Sequence, residues 1–439
     1  MSHIERREFL KRAVLAGTAT VGASSFATQH PLNAAVTKSP NEKLNIGVIG
    51  PNGRGAANAK GVAGENIVAL CDVDSQRLTA ASKLYPKAKT FVDFRALLDV
   101  KELDAVVVST PDHMHAIPAV TAMRRGLHVY CEKPLAHSVH EVRVMRETAK
   151  KHGLVTQMGT QIHAQNNYRR VVELIKAGAI GKVRRVHVWM GGRPDLRMPA
   201  GHSTVAKRVK KAAPPKHVNY DLWLGPAPER PFHLSHFHFN WRYWWDFGGG
   251  VLGDFGCHFM DLPHWALGLG APTKVSAGGS KEYVGDNNVP SNLRVDYHYA
   301  KTSSAPAVHM TWYHGKWSLD LHGFRAGVLF EGERGMLLAD YGRNRVFLGD
   351  HDGKAEVLTS EKIAPSIGHH REWTEAVKSR GSTTCNFEYS GNLTETVQLG
   401  NAAYRAREAL EWDAKALRVT NTRSADSIIR REYRKGWTL

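Results

Sequence analysis

The chain has 439 residues, 42% of them hydrophobic and 23% charged, with a formal net charge of +18. That length supports two domains with full cores, and that composition excludes a disordered chain. No apolar run reaches the roughly 18 residues of a membrane span. No helix-turn-helix, zinc-finger or RNA-binding signature accompanies the charge, so nucleic acid is not an expected partner.

The first 35 residues read as an address. Arg6 and Arg7 stand just before Phe9-Leu10-Lys11, and a weakly apolar run from Ala13 to Ala27 follows. The pattern resembles a twin-arginine signal for export of folded proteins, which implies the export machinery as a partner and a periplasmic location. Thr28 to Glu42 reads as a leader. Cys71, Cys131, Cys257 and Cys385 form no CxxC pair and are expected as buried free thiols.

Residues 43–158 alternate short apolar runs with helical patterns. Strands are expected at 44–49, 66–71, 105–108, 128–131 and 154–158, with helices at 115–125 and 139–152. This alternation predicts a parallel, doubly wound sheet, the Rossmann type of dinucleotide-binding domain. Residues 159–415 change character. A helix near 167–177 precedes period-two strands at 183–189, 273–276, 293–299, 307–312, 327–331 and 336–341, which predicts a mostly antiparallel sheet. A long loop, 191–247, interrupts them, and loops of that length are usually functional. Helices are expected at 370–379 and 393–411. The tail, 416–439, ends in a basic, aromatic segment suited to clasp another part of the protein.

Gly47-Val48-Ile49-Gly50-Pro51-Asn52-Gly53-Arg54-Gly55 follows the first strand and opens a helix. Small residues there permit a tight turn and close approach to a pyrophosphate, which the helix N-terminus attracts. Asn52 stands where a glycine is usual, and Asn tolerates positive φ. Asp72 ends the second strand about twenty residues on, suited to accept hydrogen bonds from ribose hydroxyls and to disfavour a 2′-phosphate, so NAD is expected over NADP. Capping of the next helix is the competing role for Asp72, and Arg77 leaves room for NADP.

Three clusters sit where a ligand belongs. Thr110, Pro111 and His115 follow a strand and would wall the cofactor; the competing reading is a helix-entry turn with Asp112 as its cap, which suits His113 better. Glu132-Lys133-Pro134 follows another strand. Lys133 can polarise a carbinol or carbonyl oxygen, or simply pair with Glu132. In the third, Asp254 and His258 are i and i+4 on a helix, a carboxylate beside an imidazole that accepts protons near neutral pH. His233, His236 and His238 read as a polar loop rather than a metal centre, so no metal is expected.

On the Gly-rich turn, Glu132-Lys133-Pro134 and the Asp254 to His258 helix, residues 43–415 resemble the glucose–fructose oxidoreductase/inositol dehydrogenase/rhizopine-catabolism (Gfo/Idh/MocA) family. The resemblance implies a Rossmann domain followed by an α/β domain with a large open sheet that often makes contacts in a homo-oligomer. It also implies Lys133, Asp254 and His258 as the catalytic set. Gly50, Asn52, Gly53, Arg54, Gly55, Asp72, Thr110, Pro111, His115, Glu132 and Lys133 are the expected cofactor contacts. Gln161, His163, Tyr168, Trp241, Arg242 and Tyr243 are expected to face a small sugar or glycoside, although the tryptophans suit a core equally well. The expected activity is NAD(P)-dependent oxidation of a sugar, glycoside or polyol hydroxyl with a tightly held cofactor. A redox-neutral, NAD-dependent glycosidase and a non-catalytic NAD/sugar sensor are the alternatives.

Overall fold

The computed structural model describes residues 42–191, 213–282, 287, 289–303, 305–349 and 362–439. The paired arginines, the apolar run and the leader through residue 41 lie outside the described residues, as do residues 192–212 of the long loop.

Six parallel strands form the first sheet in the order β3-β2-β1-β4-β5-β6. They are β1 (Asn45–Ile49), β2 (Asn66–Cys71), β3 (Lys89–Phe91), β4 (Ala105–Val108), β5 (His128–Cys131) and β6 (Thr156–Met158). Between them run α1 (Arg54–Gly61), α2 (Ser75–Leu84), α3 (Phe94–Leu98), α4 (Ala116–Arg124) and α5 (Val139–His152). β4 is the unbroken apolar run Ala-Val-Val-Val, buried at every position, because helices cover both faces of such a sheet. The strand order reverses between β1 and β4, and ligands bind beyond the carboxyl ends of strands at such a point. On α5 a capping box joins Ser138 and Glu141, and Gly153 ends the helix at φ 61°.

After α6 (Asn166–Lys176), nine strands form a second sheet in the order β13-β12-β11-β7-β10-β9-β8-β14-β15. They are β7 (Val183–Met190), β8 (Lys274–Ser280), β9 (Asn292–Tyr299), β10 (Val308–His314), β11 (Ala326–Gly332), β12 (Gly335–Ala339), β13 (Asn344–Phe347), β14 (Leu410–Asp413) and β15 (Arg418–Val419). All pairs are antiparallel except β7 with β10. Within the long loop lies α7 (Tyr220–Leu224), and α8 (Gly250–Phe259) and α9 (Asp261–Leu267) follow it.

Two helices read as part of the second half pack on the first. α10 (His369–Ser379) places Trp373, Ala376 and Val377 against Ile46, Val48, Tyr130 and Val155. α11 (Phe387–Ala406) packs along α5. It begins and ends earlier than its expected span of 393–411. The Asn386 side chain accepts the Tyr389 N–H and starts the helix, and Arg407 at φ 57° ends it. Leu410 and Trp412 then alternate inward as strand β14. The short strands β3, β13, β14 and β15 carry too few alternating positions to read from sequence.

The tail does clasp the molecule. Arg431 Nε and Tyr433 Oη donate to Glu141 Oε1 at 2.8 and 2.6 Å, while Glu141 Oε2 accepts the Ser138 N–H. The four cysteines are buried and free. No helix among the described residues is long and apolar enough to cross a membrane.

Trp373 is fully buried, with its ring 5.7 Å from that of Tyr130. Trp373→Ala is expected to cost about 3–5 kcal/mol in denaturant unfolding, the usual range for emptying a large aromatic site.

Candidate functional site

A cavity of about 560 Å³ runs along the carboxyl ends of the first sheet's strands, from the Gly-rich turn to α8. Its first wall is the turn after β1. Gly50 and Gly53 take φ 79° and 57°, so the left-handed position falls on Gly53 rather than on Asn52. Asn52 instead donates from its side-chain amide to the Arg77 carbonyl at 2.9 Å. At Gly55 a β-carbon would lie 1.7 Å from the Gly50 carbonyl oxygen, so only glycine closes this turn. No side chain caps α1 at Gly53; the Gly55 N–H donates to the Asn52 carbonyl at 2.9 Å, and the helix start otherwise favours an anion.

Asp72 stands at the next strand end and lines the cavity. The helix-capping role belongs to Asp74, whose carboxylate accepts the Gln76 and Arg77 N–H groups. Asp72 takes the Asp74 N–H at 3.0 Å, and hydrogen bonding from the Asn52 side chain also favours its ionised form. Burial pushes its carboxyl up to about 6, against the pull of that hydrogen bond and of Arg77. A strap from the long loop lies over this end. His217 and Asn219 exchange backbone hydrogen bonds of 2.8 Å with Ser75 and Val73, and Val218 bridges Asp74. Trp223, Phe237, His238 and Phe239 continue the roof.

At the other end Lys133, Asp254, Arg242 and His258 converge. Lys133 Nζ donates to the Asp254 carboxylate and, at 2.7 Å, to the Asp254 carbonyl. Arg242 Nε reaches the same carboxylate oxygen at 3.2 Å, and the guanidinium lies 4.2 Å from the Trp241 ring centroid. Burial opposes ionisation of Asp254, but Lys133 and Arg242 outweigh it and hold the carboxyl well below its ordinary range. His258 is 9% exposed. Burial, with Lys133, pushes it down to about 3, so the ring is neutral. Its Nδ1 is buried without a hydrogen-bond partner, so no hydrogen bond at that nitrogen ties the ring to Asp254. Tyr168 instead donates to the His258 carbonyl at 2.9 Å.

Glu132 ties the two ends together. Its Oε1 accepts Arg54 Nε at 3.0 Å and Asn58 Nδ2 at 2.9 Å. Burial opposes its charge, yet Arg54 and Lys133 keep its proton affinity below the ordinary value. Asn58 also reaches Ser109 Oγ at 2.9 Å, and its amide oxygen accepts His370 Nε2 from α10 at 3.0 Å. Asn58 was legible: it lies one turn after Arg54 on α1, so both reach one carboxylate.

Thr110, Pro111, His115, Gln161, Trp241 and Arg242 line the cavity as expected. His163, Tyr168 and Tyr243 do not. His163 Nδ1 is 2.9 Å from Asp261, its ring stacked on Trp265, because that buried carboxylate and indole outcompete the cavity. Tyr168 is spent beneath α8, and Tyr243 is buried in the loop's aromatic cluster. Trp241 belongs to both cluster and cavity. The loop histidines diverge, with His236 bonded to Tyr220 Oη at 2.9 Å and His238 lying 3.6 Å from Asp74. Asp112, expected as a cap, lines the cavity.

The turn, the uncapped helix start and the cavity-facing carboxylate fit a dinucleotide, with its pyrophosphate at Gly53 and its ribose at Asp72. Asp72 offers both oxygens as strong acceptors to the two ribose hydroxyls only when ionised. Affinity for NAD is therefore expected to be full well above pH 6 and to fall as pH drops through about 6. Asp72→Asn should flatten that dependence and weaken binding about tenfold or more, measured by titration of protein fluorescence with NAD.

Residues 18–160 match the family described as oxidoreductase, NAD-binding Rossmann fold, and residues 167–306 its C-terminal α/β domain. The inositol 2-dehydrogenase of Salmonella typhimurium is 32% identical over 147 residues, 33% of this chain and 43% of that protein. A glycosyl hydrolase family 109 protein of Solibacter usitatus is 32% identical over 214 residues, 45% of this chain and 48% of that protein. These matches span less than half the length of the curated relatives. A solved levoglucosan dehydrogenase, in complex with NADH and levoglucosan, superposes with a TM-score of 0.60 at 16% identity, over 84% of this chain and 99% of that one. The WlbA dehydrogenase of Chromobacterium violaceum, with NADH and UDP-GlcNAcA, gives 0.61 at 16% identity, over 87% and 99%. At such identities the superpositions show the fold alone. The two matched segments divide as the two sheets do, and the chain belongs to the Gfo/Idh/MocA family of NAD-binding oxidoreductases.

Proposed function

We propose that this protein oxidises a hydroxyl of a sugar, glycoside or polyol with NAD retained in the cavity. The observation that carries the reading is the meeting of Lys133, Arg242, Asp254 and His258 at the end of the cavity opposite the Gly-rich turn and Asp72. When bound, NAD supplies the redox chemistry by accepting a hydride from the substrate carbon. His258, neutral through burial, is in the form that takes up the hydroxyl proton. Lys133 stabilises negative charge growing on the oxygen, and Asp254 with Arg242 fixes the direction of the ammonium. Trp241 and Gln161 face the sugar. The named sugar-related ligands of the structural relatives support the substrate class.

The second reading is a redox-neutral glycosidase working through a keto-sugar, which the similarity to the family 109 protein supports. Lys133 favours the dehydrogenase reading, because some NAD-dependent glycosidases that resemble the family lack this lysine. A sensor that binds NAD and sugar without turnover is the third. We further propose export of the folded protein by the twin-arginine route, on the strength of Arg6, Arg7 and the apolar run after them.

Incubation of the purified protein with a panel of sugars and glycosides separates the readings. Accumulation of a keto-sugar with reduced nicotinamide supports oxidation. Hydrolysis without net reduction supports the glycosidase, and binding without either supports the sensor. His258→Ala is expected to keep NAD affinity and to lower kcat about 100-fold or more, the usual contribution of a general base.

A further inference from the structure

The reading above assigns no role to Asp112, whose carboxyl is the odd group in the cavity. It follows Pro111 at the carboxyl end of β4, is 4% exposed, and lines the cavity. As a helix cap it would accept N–H groups of the following turn. Those groups are taken elsewhere: Met114 N donates to the Pro111 carbonyl at 2.9 Å and His115 N to the Asp112 carbonyl at 3.2 Å. Among the described residues no donor bonds the Asp112 carboxyl.

The nearby donors make their hydrogen bonds to other groups. Lys133 Nζ is bonded to Asp254. Arg242 gives Nε to Asp254 and Nη1 to the Phe239 carbonyl. Thr110 Oγ1 donates to the Met114 carbonyl, and the His115 ring nitrogens lie 2.8 Å from the Pro134 and Thr110 carbonyls. The turn is also rigid. His113 donates its N–H to the Phe247 carbonyl, its Nε2 is 2.9 Å from the Trp223 carbonyl, and its ring packs on both aromatic rings. Burial pushes the Asp112 carboxyl up to about 7, although Arg242 and Lys133 pull it down. A buried carboxyl with no hydrogen-bond donor is costly, and a ligand that brings donors removes that cost.

We propose that Asp112 is a specificity-determining residue that accepts hydrogen bonds from hydroxyl groups beside the reacting carbon of the substrate. The inference rests on the sugar-oxidation reading. The nicotinamide carboxamide is the other source of such donors. The substrate is favoured because the turn carrying Asp112 is fastened to the loop that bears Trp241 and Arg242, with the His113 N–H donating to the Phe247 carbonyl. A carboxylate that recognises hydroxyls rejects a substrate that lacks one, because the acceptor is then left buried and unpaired.

The test uses the full protein, NAD, the best sugar from the panel and its monodeoxy analogues, with Asp112→Asn and Asp112→Ala. In wild type, one deoxy analogue is expected to lose about tenfold or more in kcat/KM. Both variants should raise KM for the parent sugar by a similar factor, keep the wild-type Kd for NAD, and discriminate less against that same analogue. Retained NAD affinity shows that the variants fold. A rise in the Kd for NAD with KM for the sugar unchanged overturns the inference in favour of the carboxamide. Unchanged KM and unchanged discrimination overturn it outright while leaving the oxidation reading intact. A wild type that binds and oxidises no sugar removes both.

Discussion

The ion pair between Lys133 and Asp254 is the constraint on which the site depends. Lys133 leaves the end of β5 in the first sheet, and Asp254 sits on α8, 121 residues later. Both side chains are almost wholly withdrawn from water. Desolvating two charges costs several kcal/mol each, and close pairing only roughly repays it. Asp254 gains further from Arg242, so two cations face one carboxylate. An apolar pair of the same volume would hold the two halves together as well or better. The sequence retains charge there, and the proposed chemistry supplies a physical reason: an ammonium fixed by a carboxylate needs no reorganisation to meet charge developing on a substrate oxygen.

Charge in the rest of the cavity follows from which groups have partners. Asp254, Glu132 and Asp72 are all buried carboxyls. Cations hold the first two ionised, whereas Asp72, with the Asp74 N–H, the Asn52 amide and only the charge of Arg77 to help it, is pushed up to about 6. The same side-chain chemistry thus gives fixed negative charge where the protein supplies cations and an available acceptor where it does not. Asn58 and His370 extend this logic across the molecule, because α10, packed on the first sheet, fixes the amide that helps hold Glu132 ionised.

Features set by local geometry were legible. The glycine spacing, the strand-end positions of Asp72 and Lys133, and the placing of Asp254 and His258 on one helix depend on periodicity and turn chemistry within a few residues. What failed depended on distant competition. His163 looked free to face a substrate, but Asp261, 98 residues away, claims its ring. The i, i+4 spacing of Asp254 and His258 suggested a hydrogen bond between them, yet His258 Nδ1 has no partner and two cations hold the carboxylate. Tyr243 follows two residues that do line the cavity, and in a 3₁₀ turn only tertiary packing decides which way it faces. The spans of the helices drifted for the same reason: Asn386 and Arg407 set the ends of α11, and the apolar pattern alone did not.

The strap over Asp72 bears on how the cofactor is used. Two backbone hydrogen bonds, which together make the Asp74–Val218 bridge, fasten residues 217–219 to the end of β2 and the start of α2. Each such bond contributes about 0.5–1.5 kcal/mol, and the aromatic cluster of Trp223, Phe232, Phe237 and Phe247 anchors the same segment. A dinucleotide with its ribose at Asp72 leaves only when part of this roof lifts, so its release is slowed by the full cost of that opening. Under the proposed reading, this packing is what retains the cofactor through many turnovers. A retained cofactor must be restored in place, either by a second substrate in the same cavity or by a reaction that ends redox-neutral. The two leading functional readings are therefore two answers to one physical condition, and the groups around Lys133 decide between them by how they handle the oxidised sugar.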